Sequence, residues 1–330
     1  MGDPAGIGPE IVLKLLVPHA LDGGGIGSSM NGVSPSTRFI VYGDPVLLAR
    51  EARRLGLNPE RLSIRACSSA PADLPLGVMD ARAGAAAFLA VQQAARDAMA
   101  GTVRAVVTAP LNKEAMQAAG FHYPGHTEIL AEMAGHVAVR MMLANDELRT
   151  VLVTIHQPLR QAIAALSTDL VAETIVLTDR YLKSIGIAAP RIAVAGLNPH
   201  AGEGGLMGRE EIDVIAPAIE GARGKGIDAT GPHAPDTVFM QARGFARFDV
   251  VIAMYHDQGL IPVKYLGLED GVNITIGLPF VRTSPDHGTA FDIAGHGKAD
   301  TRSMAAAIRM ADQLSRQLPV ASPSITTEPA

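Results

Sequence analysis

The chain has 330 residues, a formal net charge of −5 and 48% hydrophobic residues, enough to form one large or two ordinary α/β domains. Mixed charges and only 4% aromatic residues indicate neither a basic nucleic-acid-binding stripe nor an aromatic stacking surface. The single cysteine, Cys67, excludes an intrachain disulfide and a cysteine-based zinc site. Because we find no leader and no apolar run of membrane-spanning length, we expect a cytoplasmic protein with no nucleic-acid or membrane partner.

Short β-branched runs alternate with alanine- and leucine-rich segments of helical length. In chain order, the predicted segments are Arg38–Tyr42 (strand), Pro45–Leu55 (helix), Ala81–Ala100 (helix), Ala105–Thr108 (strand), Val151–Ile155 (strand), Ser167–Ile185 (helix), Ile192–Ala195 (strand) and Arg209–Gly221 (helix). Such alternation is typical of βαβ units on a mostly parallel sheet, and nearly continuous apolar strands are typical of a sheet covered on both faces. We therefore predict a doubly wound α/β fold. Asp22–Ser36 is predicted to be a mobile loop, and the tail Ala321–Ala330 to be disordered.

Three histidines each follow an apolar run. His156 comes after Val151–Ile155, His200 comes shortly after Ile192–Ala195, and His256 comes after a run that ends at Tyr255. In open parallel sheets, ligands bind beyond the carboxyl ends of the strands. Imidazole is a good ligand for zinc and other divalent ions, so the three histidines are candidates for one metal site. The alternative is that each is an ordinary hydrogen-bonded residue at a strand end.

Two glycine-rich segments precede helix-like sequence. Gly2–Glu10 leads into one such segment and Ala201–Gly205 into another, which permits close backbone approach to an anion at a helix N-terminus. Plain turns are the alternative. The G-x-G-x-x-G fingerprint of standard dinucleotide-binding domains is absent, so a nicotinamide cofactor needs another loop.

Lys264, Asn273 and Arg282 interrupt otherwise apolar sequence near the carboxyl end. A buried cation is costly unless it is paired, so Lys264 and Arg282 suggest an anionic ligand such as a phosphate or a carboxylate. Internal ion pairs with acidic side chains are the alternative.

Seven segments carry a family resemblance: Gly2–Glu10, Val107–Lys113, Tyr123–Glu128, Gly196–Gly205, Met254–Gly259, Gly271–Pro279 and Arg282–Gly295. In this order they closely resemble the 4-hydroxythreonine-4-phosphate dehydrogenase family of pyridoxal phosphate biosynthesis, over essentially the whole chain. The resemblance implies two α/β/α domains of the isocitrate/isopropylmalate dehydrogenase-like fold, with an active-site cleft between them. It also implies a homodimer whose site is shared between subunits. The sequence begins within the first motif, without the apolar strand that usually precedes it, so we expect either a clipped start or a missing first strand with a weakened sheet edge.

The predicted domains are residues 1–125 with 285–330, which include the proposed NAD loop, and residues 126–284, with the metal ligands and the dimer interface. By the resemblance, the metal ligands are His156, His200 and His256, the same histidines that the strand ends indicate. The family's substrate-binding residues correspond to His126, Thr127, Lys264, Asn273 and Arg282. The candidates for a catalytic role are Lys264, Asp257 and Asp236. Lys264 is a candidate for proton transfer or for contact with a substrate carboxylate, and Asp257 could bind the metal, orient His256 or act as a base.

A second resemblance concerns the cofactor. Gly2–Glu10 is similar to the opening glycine loop of decarboxylating hydroxy-acid dehydrogenases, and Asp286–Gly295 is similar to their NAD-adenosine loop. We therefore expect NAD near His287, Gly288 and Asp292.

The implied reaction is NAD-dependent oxidation of 4-phosphohydroxy-L-threonine to a β-keto acid, which loses CO₂ to give 3-amino-2-oxopropyl phosphate. One divalent metal per site, zinc, magnesium or cobalt, would assist it. The alternative within the family is oxidation of D-threonate or D-erythronate 4-phosphate. An alternative of another class is a phosphate acyltransferase on a related fold, which needs neither metal nor NAD.

Overall fold

The computed structural model describes residues 1–17, 30–68, 73–267 and 270–317. The predicted tail Ala321–Ala330 and much of the predicted loop Asp22–Ser36 lie outside the described residues. The chain divides into two compact units, Met1–Val137 with Leu278–Ala330, and Ala138–Gly277. The segments predicted from the sequence assign His126, Thr127 and Arg282 to the second domain, whereas this division assigns them to the first unit.

The first unit contains two pairs of parallel strands, β1 with β2 and β3 with β10. Its helices and strands are α1 (Gly8–Leu16), β1 (Ile40–Gly43), α2 (Pro45–Arg54), β2 (Ser63–Ala66), α3 (Ala81–Met99), β3 (Ala105–Val107), α4 (Lys113–Ala118), α5 (His126–Met133), β10 (Val281–Pro285) and α11 (Arg302–Gln317). The predicted helices that begin at Pro45 and Ala81 are confirmed. Each follows an aspartate, Asp44 or Asp80, whose carboxylate accepts hydrogen bonds from the first backbone amides of the helix.

The second unit contains one mixed, mostly parallel sheet of strand order β9-β4-β5-β8-β6-β7. Its helices and strands are β4 (Arg140–Ala144), β5 (Arg149–Leu152), α6 (Leu159–Ala165), α7 (Thr168–Ser184), β6 (Ile192–Ala195), α8 (Ala216–Arg223), β7 (Ala229–His233), α9 (Val238–Ala242), β8 (Val250–Ala253), α10 (His256–Leu266) and β9 (Val272–Ile276). β4 runs antiparallel to both of its neighbours, and the remaining pairs are parallel. The predicted α/β fold with a largely parallel sheet is confirmed.

Buried apolar side chains explain why the central strands of the second unit read as continuous hydrophobic runs. Every residue of β6 and β8 is buried, as expected for strands covered on both faces. Val251 and Ala253 pack with Leu152 and Leu260 in one core cluster. Burial of each large aliphatic side chain contributes roughly 1.5–3 kcal/mol, so this cluster holds the strand ends in place.

Two predicted elements differ from the structure for identifiable reasons. The predicted strand Val151–Ile155 ends at Leu152; beyond it the Thr154 hydroxyl donates to the carbonyl of Met254 at 2.7 Å, and the chain bends. The predicted helix Arg209–Gly221 instead begins with a π-helical turn, Glu211–Ile215, before α8. Pro217 lies at the start of α8 and has no N–H to donate, so regular α-helical bonding is interrupted there.

Among the described residues, no single helix is long and apolar enough to cross a membrane, although the bent pair Leu159–Ala165 and Thr168–Ser184 passes the length and composition test together.

Candidate active site

Four adjacent parallel strands of the second unit end at the same edge of its sheet. In spatial order they are β5, β8, β6 and β7. His156 follows β5, His256 follows β8, His200 follows β6 and Asp236 follows β7. The topology therefore brings these four candidates to one edge, at the position where open α/β sheets bind ligands.

The side chains of His156 and His256 lie close together. Their ring centroids are 5.7 Å apart, and the rings are tilted by 44°. His256 is the first residue of α10, three residues after the end of β8. The buried residues of β8 therefore hold the backbone that carries the His256 ring in place. His156 has a φ of 43°, a left-handed conformation that is uncommon for a residue other than glycine. Such backbone strain is often found at functional sites.

The loop that carries His200 is left-handed over several residues. Positive φ angles occur at His200, Ala201, Gly202, Glu203 and Gly204. Left-handed backbone costs roughly 1–2 kcal/mol for each residue with a Cβ atom, so surrounding contacts must hold this loop. The predicted anion-binding turn at Ala201–Gly205 is therefore a strained loop and does not form a regular helix N-terminus.

Glu211 supplies much of that support. Its buried carboxylate accepts hydrogen bonds from the backbone amides of Leu197 and Asn198, both at 2.7 Å, and from the Asn198 side chain at 3.0 Å. Gly196 precedes the loop where a Cβ atom would lie 2.9 Å from the Ala201 backbone. Glycine is therefore required at the point where β6 turns into the His200 loop.

Gln258 connects two of the strand ends. Its side-chain oxygen accepts a hydrogen bond from the Met254 amide at 2.6 Å, and its side-chain nitrogen donates to the Gly196 carbonyl at 2.7 Å. The segment that follows β8 is thereby fixed relative to the segment that follows β6. This bridge limits the relative movement of the segments that carry His256 and His200.

The chemistry of the donors fits a divalent metal. His256 Nδ1 lies 2.7 Å from an Asp257 carboxylate oxygen, and His200 Nδ1 lies 2.8 Å from a Glu203 carboxylate oxygen. Carboxylates in this position are typical of metal-binding histidines, because they orient the ring and leave the other nitrogen for the metal. Within the described residues of this single chain, no three His, Cys, Asp or Glu side chains are grouped closely enough to hold a metal. The structure thus brings two of the three predicted ligands together.

Lys264 and Asn273 occupy a different part of the second unit. Lys264 follows His256 by eight residues in α10, about 12 Å along the helix axis at a rise of ~1.5 Å per residue. Asn273 pairs with Leu143, which in turn pairs with Thr150 in the first half of β5. Both candidates therefore lie away from the strand ends that carry the histidines. Lys264 is half-buried and does not lie in the core.

Arg282 lies in the first unit and is almost completely buried. Its side chain is in β10, and its Nη2 donates to the Thr108 hydroxyl at 2.7 Å. Burial lowers the pKa of Arg282 to about 10, while the Glu128 carboxylate opposes this shift. The guanidinium therefore stays charged at neutral pH in a poorly solvated place, which favours a nearby anion.

His126 and Thr127 are the first two residues of α5 in the same unit. The ring nitrogen Nε2 of His126 is buried and has no hydrogen-bond partner among the described residues. Burial lowers the pKa of His126 well below its usual value, and the positive charges of Arg282 and Lys113 add to this shift. The imidazole is therefore neutral at pH 7, with one nitrogen available for a ligand.

The predicted NAD-binding residues lie on the exposed side of a loop that contacts the first glycine motif. Ile7 donates its backbone amide to the Thr289 carbonyl at 3.0 Å, so the two segments predicted to bind NAD are adjacent. His287 and Asp292 are exposed, and Gly288 has open space where a Cβ atom would be. These residues are exposed to solvent. The hydrogen bond between Ile7 and Thr289 holds their loop against the first glycine motif.

Asp3, in the first glycine motif, was not singled out from the sequence, and it gives a pH-dependent prediction. One oxygen of this fully buried carboxylate accepts from the Ala5 amide at 2.8 Å. Burial raises the pKa of Asp3 to about 6, although hydrogen bonds from the Ala5 and Asn112 backbone oppose this shift. The ionised form therefore destabilises the folded state above pH 6, and this cost disappears as the pH falls toward the ordinary aspartate pKa of about 3.9.

We expect Asp3→Asn to have a free energy of unfolding roughly 1–3 kcal/mol higher than the parent at pH 8, measured by urea unfolding, because asparagine keeps the Ala5 contact without the charge. The difference should shrink between pH 7 and pH 4, and a variant less stable than the parent at pH 8 would contradict this account.

Comparison with known proteins identifies the family. Residues 35–311 match the family described as pyridoxal phosphate biosynthetic protein PdxA. The chain belongs to this family. It is 52% identical, over 95% of its length and 93% of the relative's, to a 4-hydroxythreonine-4-phosphate dehydrogenase from Beijerinckia indica. It is 46% identical, over 95% of its length and 97% of the relative's, to a D-threonate 4-phosphate dehydrogenase from Pectobacterium atrosepticum.

The fold agrees with a solved structure of the same family. A 4-hydroxythreonine-4-phosphate dehydrogenase from Klebsiella pneumoniae superimposes with a TM-score of 0.83 at 43% sequence identity, and the match covers 96% of each chain. The family resemblance seen in the seven sequence segments is therefore confirmed.

Sequence reasoning did not single out Gln258, Glu211 or Thr108, although each supports a predicted site residue. Gln258 and Thr108 lie in segments of the family resemblance and Glu211 lies in the predicted helix Arg209–Gly221, but only the folded contacts show what they bind. A glutamine two residues after a strand-end histidine was the one available signal for Gln258.

Proposed function

We propose that this chain is a NAD-dependent, divalent-metal-dependent dehydrogenase that oxidises 4-phosphohydroxy-L-threonine in pyridoxal phosphate biosynthesis in the cytoplasm. The observation that carries the proposal is the pair of imidazoles of His156 and His256, 5.7 Å apart at a sheet edge, in a chain of the pyridoxal phosphate biosynthetic family. The second candidate substrate is D-threonate or D-erythronate 4-phosphate, which the 46% identity to a D-threonate 4-phosphate dehydrogenase favours.

The proposed metal ligands are His156, His200 and His256, with zinc, magnesium or cobalt as the ion. When bound, such an ion lowers the pKa of a coordinated alcohol and stabilises the negative charge that forms as CO₂ leaves. The carboxylates of Asp257 and Glu203 orient His256 and His200 by the contacts described above. For Asp257, this contact supports an orienting role over a direct role as metal ligand or base.

Proton transfer requires a base near the reacting hydroxyl. The substrate loses a hydride from its carbinol carbon to NAD and a proton from the hydroxyl on that carbon, which leaves a β-keto acid. Among the candidates Lys264, Asp257 and Asp236, we favour Asp236 as the base. It is exposed, and it follows β7 at the sheet edge where the histidines also lie. Lys264, about 12 Å from His256 along α10, is better suited to contact the substrate carboxylate.

The proposed substrate contacts in the first unit bind the anionic part of the substrate. Arg282 supplies a buried positive charge, fixed by Thr108, while His126 and the backbone amides of His126 and Thr127 supply hydrogen bonds to phosphate. Asn273, in β9, completes the proposed substrate set. His287, Gly288 and Asp292 remain the proposed contacts for NAD.

A homodimer with a shared site is part of the proposal. Exposed apolar side chains follow two of the proposed metal ligands in the sequence: Leu206 (79% exposed) and Ile212 after His200, and Ile261 and Tyr265 (91% exposed) after His256. Exposed apolar residues in such numbers favour a protein interface. A second copy bound there would also supply the third imidazole that one chain does not bring to the pair.

The proposed function is tested by NADH formation. We expect absorbance of NADH to increase with 4-phosphohydroxy-L-threonine after addition of zinc, magnesium or cobalt to chelator-treated protein. D-threonate 4-phosphate and D-erythronate 4-phosphate, assayed in parallel, decide between the candidate substrates by the ratio of kcat/KM. Turnover that is unchanged by chelator, or formation of acyl phosphate without NADH, would contradict the proposal.

A further inference from the structure

The N-terminus of α5 has no side-chain cap. Gly125 is its N-cap residue and offers no side chain to accept a hydrogen bond from the first backbone amides. Beside it, the Nε2 atom of His126 is buried without a partner among the described residues. A helix N-terminus favours negative charge, and the unpartnered imidazole nitrogen adds a second, independent group that needs a ligand there.

Lys113 extends over this position from a neighbouring helix. It is the first residue of α4, it is exposed, and its Cε atom lies 3.8 Å from the point where a Cβ atom on Gly125 would be. In the described part of the chain, its ammonium group takes part in no hydrogen bond or ion pair. Burial and Arg282 are the larger causes of the lowered pKa of His126, and the positive charge of Lys113 adds to them.

A lysine at position 113 does not stabilise α4. Positive charge is unfavourable at a helix N-terminus, and the side chain of Asn112 already caps α4 by accepting from the Ala115 amide at 2.8 Å. Lys113 also adds positive charge to a region that already contains the buried guanidinium of Arg282. The Glu128 carboxylate, in the first turn of α5, opposes the effect of burial on Arg282.

We propose that Lys113 is a further substrate-binding residue, which contacts the substrate phosphate at the N-terminus of α5. The inference rests on the proposed function, in which His126 and Thr127 bind that phosphate. A phosphate monoester carries about 1.5 to 2 negative charges at neutral pH, which complement the positive charge of the exposed Lys113 ammonium group. Its oxygens would accept hydrogen bonds from the Lys113 ammonium, the α5 amides and, in the appropriate tautomer, the His126 ring.

The first test measures binding of inorganic phosphate by calorimetry, with no turnover involved. We expect Lys113→Gln to weaken phosphate binding about tenfold, equivalent to about 1.4 kcal/mol, and Lys113→Arg to stay within about threefold of the parent. Glu114→Gln, the neighbouring exposed position, is the matched control and should bind phosphate like the parent. The thermal midpoint of Lys113→Gln should be equal or higher, because a charge that disfavours α4 has been removed. A parent that binds no phosphate, or a Lys113→Gln variant that binds it equally well, would overturn the proposal.

The second test is kinetic. In the NADH assay, Lys113→Gln should raise KM for the phosphorylated substrate about tenfold with kcat within about twofold, and Lys113→Arg should restore most of the loss. A fall in kcat at unchanged KM would overturn a phosphate-binding role. If the parent forms no NADH with any of the three substrates, the proposed function fails, while the phosphate titration still decides the role of Lys113.

Discussion

Replacement of His156 by asparagine is expected to reduce turnover by more than about 100-fold and to release the bound metal. Removal of a residue that merely supports a metal ligand already costs about 10–100-fold, so loss of a ligand itself should cost more. Asparagine is the informative substitution because it tolerates the left-handed backbone at this position, where φ is 43°. The side chain is exposed, so the free energy of unfolding should change by less than about 0.5 kcal/mol. The alanine variant should lose activity in the same way.

The chain offers a matched control for this experiment. His136 is also exposed and has a φ of 58°, but it lies in the first unit in the turn that follows α5. His136→Asn should retain both turnover and metal, which would separate ligand loss from backbone effects. Metal content after dialysis, urea unfolding and NADH formation are the measurements. Full activity of His156→Asn after chelator treatment would refute the metal assignment.

Substitution of Arg282 by methionine should lower kcat/KM for the phosphorylated substrate about 100-fold, mainly through KM. Loss of a buried cation that binds an anion costs on the order of 3 kcal/mol, and each 1.4 kcal/mol corresponds to about a factor of ten. Arg282→Lys should recover only part of the activity, because an ammonium group cannot make two parallel hydrogen bonds. The stability of Arg282→Met should be equal or greater, because methionine avoids the cost of burying the charge that lowers the pKa of Arg282.

Arg140 is the control for this prediction. It is also largely buried and bonded to a threonine, with its Nε donating to the Thr174 hydroxyl at 2.8 Å and an ion pair to Glu173 at 2.6 Å. Arg140→Met should therefore lower the urea midpoint while KM stays unchanged. The opposite pattern in the two variants separates a binding role from a structural one. A KM within about twofold of the parent in Arg282→Met would contradict the assignment.

Local sequence patterns were enough to predict the fold class, the family and the residues that follow the strands. Strands buried on both faces must be apolar throughout, so β6 and β8 were recognisable, and the polar residue after each was conspicuous. Helices that start at Pro45 and Ala81 were predictable because their capping aspartates precede them in the sequence. Interactions of this kind act between residues that are close along the chain.

Which candidates come together depends on contacts between residues that are distant in the sequence. The sheet order places His156 beside His256, because β5 and β8 are neighbours although 100 residues separate the two histidines, and Gln258 joins the ends of β8 and β6. Lys264 and Asn273 looked equivalent to Arg282 in sequence, but helix length and strand register place them away from the paired imidazoles. The unpartnered nitrogen of His126 and its neighbour Lys113 were likewise invisible, because burial and electrostatic proximity depend on residues distant in sequence. Local patterns fix the elements, whereas long-range packing fixes the chemistry that those elements bring together.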